Sequence, residues 1–569
     1  MTNYTFLRTR RMSWRGKIGL IGVGWLTAVF RFHGLFANRF HADEALFATW
    51  ARLIAVWRDP LLLTQAVDKP PLLFYLQALF YPLQGPVAWA ARLPNFIASI
   101  LLVPLLGMLV WRWYGDEKTA VLAAFFLALS PFAIQFSATA FTDPLLVMWL
   151  VAALVVASSS RIKPQSNKQR QVFEINKRNW LSWHHAYARR DILQTFVVRK
   201  RYLRSFVHSL NPAQLAQCAG RCPTFTEGRL ALAGVLFGLA LATKYQAWLF
   251  LPLLVGAAWL AGWRWRDGLR FVGGLLAVFS MVLLWDFVRT GQFSLWGAQM
   301  GNFGGIRLSW SWEIWPRLHA WVQMWRWLWV SPVVMGFMAV AVGWPLVCIL
   351  CAMFRKLCFN RLPLAAHRAR ITDLLDQMLA LFIFGYALVH WLLAVPVWDR
   401  YLLALAPLLA ILGARLMVNG SLFIVKTPGR RSGAWLVGGV LLLVLLTAAW
   451  QGRNGRFPVG GGSGADGGAA EIAAYLYDAP YGTVLYDHWF SWQWNYYLFD
   501  RGVYVNWVPQ PAMLVEDLTV FSGDDTLRFI VLPDDGSERP FMREVEAAGF
   551  SLTPIPEAGG ARMVLYQIE

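Results

Sequence analysis

Hydrophobic and polar positions follow one another in long blocks over residues 1–450. Most blocks run for roughly 15 to 25 apolar residues, the length that spans a bilayer. They show neither the alternation of a strand nor the one-sided stripe of an amphipathic helix. The pattern predicts about eleven membrane-crossing helices, the first near 16–30 and the last near 434–449.

Composition and charge support this interpretation. Of the 569 residues, 57% are hydrophobic and 15% are charged, and the mean hydropathy is +0.44. A net charge of +20 would suggest nucleic acid for a soluble protein, but here Lys and Arg concentrate between the apolar blocks. Because cytoplasmic loops carry such an excess, we expect membrane lipids rather than nucleic acid as partners. The amino terminus is then cytoplasmic, and the first helix is an uncleaved signal anchor.

The longest polar interruption, residues 160–228, is strongly basic and is predicted to be a cytoplasmic insertion. It contains His184, His185, Cys218 and Cys222, whose spacing fits no standard zinc site. Contact with anionic lipid headgroups and a poorly ordered segment are the two remaining interpretations. The cysteines of the chain are too few and too clustered for a disulfide framework, so reduced thiols are expected.

Beyond residue 450 the composition changes. Residues 451–468 are rich in glycine and predict a flexible linker. Residues 469–569 predict a small α/β domain, with strands at 483–486, 503–506, 529–532 and 563–567 and a helix at 539–548. An odd number of crossings places this domain outside the cytoplasm. An aromatic run at 489–497 favours a domain core over contact with sugar or membrane.

Candidate chemistry concentrates in the loop between the first two predicted crossings, residues 39–71. His41, Asp43 and Glu44 lie together, and Asp68 and Lys69 precede two prolines, whose rings fix φ and remove two backbone donors. Charged loop residues often serve only solvation, but a rigid turn beside acids and bases is typical of an active-site loop. The order of crossings brings Asp143 to the same face.

Several short motifs occur in a characteristic order. Asp43-Glu44 is followed by Lys69-Pro70-Pro71, Ala91-Arg92-Leu93-Pro94, Thr142-Asp143 and Asp399-Arg400-Tyr401-Leu402-Leu403. Over roughly residues 15–420 this order resembles the membrane glycosyltransferases of the protein O-mannosyltransferase and aminoarabinose lipid A transferase group. The resemblance implies an all-α polytopic domain of GT-C type over residues 1–450. Its expected location is the inner membrane of a prokaryote.

The resemblance also implies an inverting glycosyltransferase that moves a sugar from a polyprenyl-phosphate donor to a lipid, glycan or protein acceptor on the extracytoplasmic face. Such transfer needs a base near the acceptor and cations on the departing phosphate. We therefore expect Asp43 to be the base and Glu44 to orient it. Asp143 is the third catalytic candidate, holding the acceptor or a divalent cation such as Mg²⁺ or Mn²⁺; a metal requirement stays open. The donor phosphate is assigned to Lys69, Arg400 and Arg92, and the acceptor or sugar to His41, Asp68 and Tyr401.

Two other classes of protein compete with this interpretation. A transporter should place ionisable residues near the middle of its helices, whereas most acids here lie at the ends of apolar blocks. A non-catalytic cell-envelope assembly protein would retain its activity in cells after Asp43→Asn. Phe47 stands where aminoarabinose transferases carry a hydroxylated aromatic residue, which argues against an aminoarabinose donor.

Overall fold

The computed structural model describes residues 12–81, 87–158, 227–301, 305, 307–358, 371–425, 431–488, 492–536 and 538–569. The four residues considered above as zinc ligands lie outside these ranges, as does the predicted basic insertion except for its last two residues. Within the described chain, Cys348 and Cys351 form no disulfide.

The larger part of the molecule is helical. Its α-helices are α1 (Trp14–Ala37), α2 (Ala42–Ala55), α3 (Leu72–Ala78), α4 (Ala88–Tyr114), α5 (Glu117–Ala128), α6 (Pro131–Ser137), α7 (Asp143–Ala157), α8 (Glu227–Thr243), α9 (Leu251–Leu260), α10 (Trp265–Thr290), α11 (Ser294–Gly301), α12 (Ser311–Trp325), α13 (Pro332–Cys358), α14 (Ile371–Leu392), α15 (Ala406–Val425) and α16 (Arg431–Arg453). Short 3₁₀ helices cover Tyr245–Phe250, Arg326–Leu328 and Asp399–Leu405.

Length and hydropathy identify the helices that can cross a bilayer. In the described part of the chain, six are long and apolar enough, and a seventh results if α5 and α6, bent by 62°, count as one span. Four shorter apolar segments are Asp143–Ala157, Gly228–Thr243, Tyr245–Leu260 and Gly438–Arg453. The chain is therefore a multi-pass membrane protein, while about eleven crossings stays a prediction.

Local sequence explains the bend between α5 and α6. Ser130 is extended, and its hydroxyl accepts a hydrogen bond from Ala133 N at 3.3 Å. Pro131 occupies the first turn of α6, where its missing N–H costs nothing, but it cannot continue α5. A helix therefore ends and a new one begins inside one apolar block.

Two short helices, α2 and α3, lie between α1 and α4. The backbone N–H of Asp43 donates to His41 Nδ1 at 3.2 Å, and Glu44 accepts from His41 N at 3.1 Å. This reciprocal capping fixes the start of α2. Asp43 thus lies in the first turn of a short helix that leads out of the loop.

The carboxyl-terminal domain confirms the expected α/β class. Its helices are α17 (Ala469–Tyr475), α18 (Trp492–Tyr497), α19 (Pro511–Val520) and α20 (Arg539–Ala547), and its strands are β1 (Thr483–Asp487), β2 (Val503–Trp507), β3 (Arg528–Pro533), β4 (Leu552–Pro554) and β5 (Met563–Ile568). The sheet order is β2-β1-β3-β5-β4. Strands β1, β2 and β3 are parallel, and β5 pairs antiparallel with β3 and β4. All four predicted strands occur, and the three-residue β4 is additional.

Residues of β3 alternate between two apolar layers. Phe529 and Val531 pack with α17 and α18, whereas Ile530 and Leu532 pack with α19 and α20. Such alternation follows from the two-residue repeat of a strand. The sheet is therefore covered by helices on both faces.

Helix α18 of this domain packs against α2. The rings of Phe40 and Tyr496 lie edge to face with centroids 4.7 Å apart. Arg52 donates to Tyr496 O at 3.2 Å and lies 3.9 Å over the ring of Phe499. Trp494, also from the aromatic run, is buried in the domain core. The described part of this run thus serves both the core and the contact with α2.

The glycine-rich stretch was expected to be a flexible linker, but it makes specific hydrogen bonds. The side-chain amide of Gln135 in α6 donates to Phe457 O at 2.9 Å and Val459 O at 2.7 Å, and it accepts from Phe457 N at 3.1 Å. Gly460 N donates to Asp399 at 3.0 Å. Buried polar groups that are all hydrogen-bonded hold a chain in one conformation. The division into domains at this stretch stays a prediction.

Candidate functional site

The centre of the site is an ion pair between distant parts of the chain. Asp43 Oδ2 lies 2.5 Å from a terminal nitrogen of Arg400 in the 3₁₀ helix 399–405. The Arg400 side chain is only 9% exposed, while that of Asp43 is 37% exposed. The guanidinium stacks over Trp398, 4.1 Å from the ring centroid. Arg400 is thus fixed by its stacking on Trp398, and the Asp43 carboxylate is partly open to solvent.

Charge at this point favours ionised Asp43. Burial opposes ionisation, but Arg400, with smaller contributions from His41 and Lys69, holds the pKa of Asp43 below its ordinary value. Since that ordinary value is already about 4, the group is a carboxylate at neutral pH. It can accept a proton or a hydrogen bond.

Asp399 fixes the backbone of Arg400. One carboxylate oxygen accepts from the Arg400 backbone N–H at 2.7 Å, and the other accepts from Gly460 N. The glycine-rich stretch therefore supports the arginine of the site.

A second pair lies beside the first. Lys244 Nζ donates to Asp143 Oδ1 at 2.7 Å, and the side chains are 10% and 3% exposed. The ammonium also lies 4.8 Å from the ring centroid of Tyr401. Electrostatic interaction couples Lys244 to Arg400 and to Lys69. Two acid–base pairs thus form one cluster.

Sequence reasoning assigned no role to Lys244. The available signal was a lone lysine between two short apolar blocks, in Thr243-Lys244-Tyr245. A cation in such surroundings requires a partner, since an unpaired buried charge is costly. The pairing with Asp143 could not be read from the sequence because the two residues are 101 positions apart.

Lys69 lies on an anchored loop. Its ammonium forms an ion pair with Asp68. Arg289 in α10 donates to Gln65 O at 3.3 Å and to Val67 O at 3.5 Å, and it pairs with buried Asp286 at 3.3 Å. The end of α10 therefore holds the backbone just before Lys69.

Glu44 and Arg92 lie deeper than the sequence suggested. Glu44 is fully buried and accepts from Ala140 N at 2.5 Å, and burial raises its pKa. Arg92 is 1% exposed, with its guanidinium 4.4 Å from the ring centroid of Phe40. Both positions favour structural roles, with Glu44 joining α2 to the segment before α7.

His41 and Tyr401 make packing and hydrogen-bond contacts at the site. His41 caps α2, and its ring lies 5.5 Å from that of Phe141. Tyr401 has its backbone oxygen bound by the Tyr386 hydroxyl at 2.8 Å. Seven of the nine residues named from the sequence are at the site. Three of them, Asp43, Asp143 and Arg400, belong to the two ion pairs, and the others lie around the pairs: His41, Asp68, Lys69 and Tyr401.

The donor set does not fit a divalent cation. Within the described ranges no three His, Cys, Asp or Glu side chains converge. Asp43 and Asp143 each hold a basic side chain instead. Hard divalent cations need several oxygen ligands, so no step below passes through a metal. The arrangement places three cations, Lys69, Lys244 and Arg400, beside an ionised carboxylate, which suits a phosphate next to a group that loses a proton.

Comparison with known proteins finds relatives among the glycosyltransferases. Residues 68–169 match the profile of the family described as dolichyl-phosphate-mannose-protein mannosyltransferase. YkcB and YycA of Bacillus subtilis, both named as candidate mannosyltransferases, are 34% identical over 87 and 85 residues. These matches cover 15% of this chain, and the chain spans only 12% of the length of either relative.

The structural likeness extends over nearly the whole chain. The structure of ArnT from Cupriavidus metallidurans bound to undecaprenyl phosphate superposes with a TM-score of 0.56 at 13% identity, covering 98% of both chains. Its apo structure gives the same TM-score at 14% identity. The predicted resemblance is confirmed, and the fold is that of the polytopic GT-C proteins with a small carboxyl-terminal sheet.

Proposed function

We propose that this chain is an inverting glycosyltransferase. It transfers a sugar from a polyprenyl-phosphate donor to a hydroxyl or amine of a lipid, glycan or protein on the extracytoplasmic face of the cell membrane. The observation that carries the proposal is the ionised, partly exposed Asp43 held on Arg400 beside Lys69 and Lys244. The ArnT structure with undecaprenyl phosphate and the dolichyl-phosphate family description support a lipid phosphate as the donor.

In this mechanism Asp43 takes the proton of the acceptor. The acceptor oxygen or nitrogen attacks the anomeric carbon opposite the phosphate, and the bond from that carbon to the phosphate oxygen breaks. The electron pair goes to the phosphate, whose negative charge grows in the transition state. Lys69, Lys244 and Arg400 stabilise this charge, as preorganised cations do in many transfer reactions.

Arg400 links the two halves of the reaction. A guanidinium has five N–H donors, and the contact with Asp43 uses one terminal nitrogen. The remaining donors suit a phosphate oxygen. When phosphate draws the guanidinium away from Asp43, the carboxylate becomes a stronger base. Donor binding therefore prepares the base for the acceptor.

Transfer by purified protein in nanodiscs tests this function. Undecaprenyl phosphates carrying radiolabelled hexoses or pentoses would be incubated with an extract of cell-envelope lipids and glycans. We expect free undecaprenyl phosphate and a labelled acceptor with the wild type and neither with Asp43→Asn. Labelled donor that moves across a proteoliposome membrane unchanged would instead indicate a transporter. Surface glycans from a deletion strain, measured by mass spectrometry, would identify the acceptor.

The location of the site has its own test. We expect a cysteine introduced at Ser463 to react with an impermeant maleimide added outside, and one at Ser166 in the basic insertion to react only after lysis. Equal labelling of both positions in intact cells would overturn the predicted order of crossings.

A further inference from the structure

One part of the glycine-rich stretch, residues 457–461, contacts both sides of the proposed site and is called the supporting segment below. On one side, Gly460 N donates to the Asp399 carboxylate at 3.0 Å, and the same carboxylate accepts from the backbone N–H of Arg400 at 2.7 Å. The supporting segment is therefore one side chain away from the residue whose guanidinium meets Asp43.

The supporting segment is fixed on α6. Besides the bonds of the Gln135 side chain, Gly461 N donates to the backbone oxygen of Gln135 at 3.3 Å. Gly460 has a φ of +54°, and a methyl group on it would lie 2.9 Å from the buried ring of Phe136. Glycine is the residue that accepts both this conformation and this close approach. The path of the segment is thus set by α6.

On its other side the supporting segment contacts the chain that leads into α2. A methyl group on Gly461 would overlap the side-chain amide of Asn38, which donates to Ala138 O at 2.9 Å. The next residue, Arg39, lies 3.4 Å from the carboxylate of buried Asp466, shortly after the supporting segment. The two residues that connect α1 to the cap of α2 are therefore held by the same stretch that holds Asp399.

We propose that the supporting segment is a positioning element for the base, with Gly460 and Asp399 as its positioning residues. The two members of the ion pair are 357 positions apart in sequence, and the supporting segment contacts the chain next to each of them. It thereby fixes how Arg400 approaches Asp43. This inference rests on the proposed function, because the pair that it positions is the one assigned to the reaction.

The interaction between Asp43 and Arg400 can be measured without any transfer reaction. Unfolding temperatures of the full-length wild type, Asp43→Asn, Arg400→Gln and the double variant in one detergent form a cycle, whose non-additivity is the coupling of the pair. We expect coupling in the wild-type background and its loss in the Gly460→Ala background. Gly464→Ala is the matched control and should keep the coupling, since Gly464 is exposed and its methyl group would have no described atom within 4 Å.

A second variant covers the case in which Gly460→Ala does not fold. Asp399→Asn keeps the size of the side chain but replaces one of the two acceptor oxygens by an NH₂ group, so the backbone N–H of Gly460 or of Arg400 loses its partner. The coupling should therefore fall in this background too. Asp478→Asn, at an exposed position of the terminal domain, should leave it unchanged.

The pH profile of transfer is a readout that a loss of stability alone would not move. Burial raises the pKa of Asp43, and among the charges that face it, Arg400, His41 and Lys69, Arg400 does most to lower it. A displaced Arg400 lets this pKa rise, so the acid limb of kcat/KM in Gly460→Ala should move to higher pH. Its kcat should fall about tenfold or more, since a misplacement of about 1 Å can cost about 100-fold. Gly464→Ala should match the wild type in both respects.

The two readouts separate failure of this inference from failure of the proposed function. Equal coupling in the wild-type, Gly460→Ala and Asp399→Asn backgrounds, or no coupling in the wild type, would refute the positioning role even in an active transferase. An acid limb unmoved in Gly460→Ala would refute it as well. Coupling that depends on Gly460, in a protein that transfers nothing, would support the positioning role and refute the function.

Discussion

Two acid–arginine pairs in the helical region have different surroundings. At the site, Asp43 meets Arg400 through a single contact and remains 37% exposed. Elsewhere in the bundle, both oxygens of Asp376 in α14 accept from Arg415 in α15 at 2.9 to 3.1 Å, and Tyr114 in α4 donates to the same carboxylate at 2.8 Å. There both charged side chains are 13% exposed.

The difference shows which pair is available for chemistry. Asp376 has its oxygens occupied by two partners from two other helices, so it cross-links them and has no open side for an acceptor. Asp43 has one strong partner and an open side, because α2 begins in a loop rather than within the bundle. The same two residue types thus form a structural cross-link in one place and, in the proposed function, the reactive pair in the other.

The largest expected effect comes from exchanging Asp43 for asparagine. Asp43→Asn keeps the size of the side chain but removes the proton acceptor, so single-turnover transfer should fall by about 10²- to 10⁴-fold, the usual contribution of general-base catalysis. Donor binding should persist. Asp376→Asn is the matched control and should retain transfer per folded molecule. Normal turnover in Asp43→Asn would contradict the distinction between the two pairs and make Asp143 the next candidate base.

The second effect concerns stability, and here Asp376→Asn should have a larger effect than Asp43→Asn. Asp376→Asn leaves the buried guanidinium of Arg415 without a counter-charge, and loss of one partner of a buried pair typically costs about 3 to 5 kcal/mol. Thermal unfolding in a fixed detergent should therefore shift downward for Asp376→Asn. It should shift less for Asp43→Asn, because Asp43 is 37% exposed and Arg400 keeps Asp143 nearby and its stacking on Trp398. Similar unfolding temperatures would show that the pair in the bundle is not a cross-link.

The third effect separates phosphate capture from proton transfer. Lys69→Ala should weaken binding of polyprenyl phosphate about tenfold, since one charge-assisted contact contributes about 1.5 to 3 kcal/mol. It should also slow transfer, because charge on the phosphate grows as the glycosidic bond breaks. Fluorescent polyprenyl phosphate in nanodiscs measures the first change, with Lys118→Ala at an exposed position in the first turn of α5 as control. Unaltered affinity in Lys69→Ala would remove this lysine from the phosphate site.

The smallest effect is a change in pH dependence. Activity requires the Asp43 carboxylate and should fall as pH drops through its pKa, which Arg400 lowers. Arg400→Gln removes that positive charge, so the pKa rises and the acid limb of kcat/KM moves to higher pH. Arg400→Lys keeps the charge and should leave the limb nearly in place, although both variants lose rate. An acid limb that is the same in all three proteins would assign it to another group.

Much of the helical region was predictable because lipid imposes a simple rule. Every backbone polar group must be satisfied within the segment, so uninterrupted apolar blocks become helices. The order of the motifs also led to Asp43 and Arg400 being assigned to one site, and the structure brings these two into contact across 357 positions of sequence. The strands of the terminal domain followed from equally local patterns.

Pairing and burial were not predictable in the same way. Charge in a loop does not reveal which side chains turn inward, so Glu44 and Arg92 were assigned to the open site together with Asp43. Gln135 is one polar residue in an apolar block, and its partners lie on a stretch whose composition suggested flexibility. These features depend on packing between distant segments, which a single sequence does not record.

The bonds between Gln135 and residues 457–459 determine how the chain can be divided. Cleavage or a long insertion there would strip a buried amide of three partners and release the glycine that supports Asp399. The terminal domain is therefore a poor candidate for grafting onto another membrane protein, whereas a reporter fused after exposed Glu569 would leave these hydrogen bonds intact. For protein engineering, the last hundred or so residues are best kept together with the helical region.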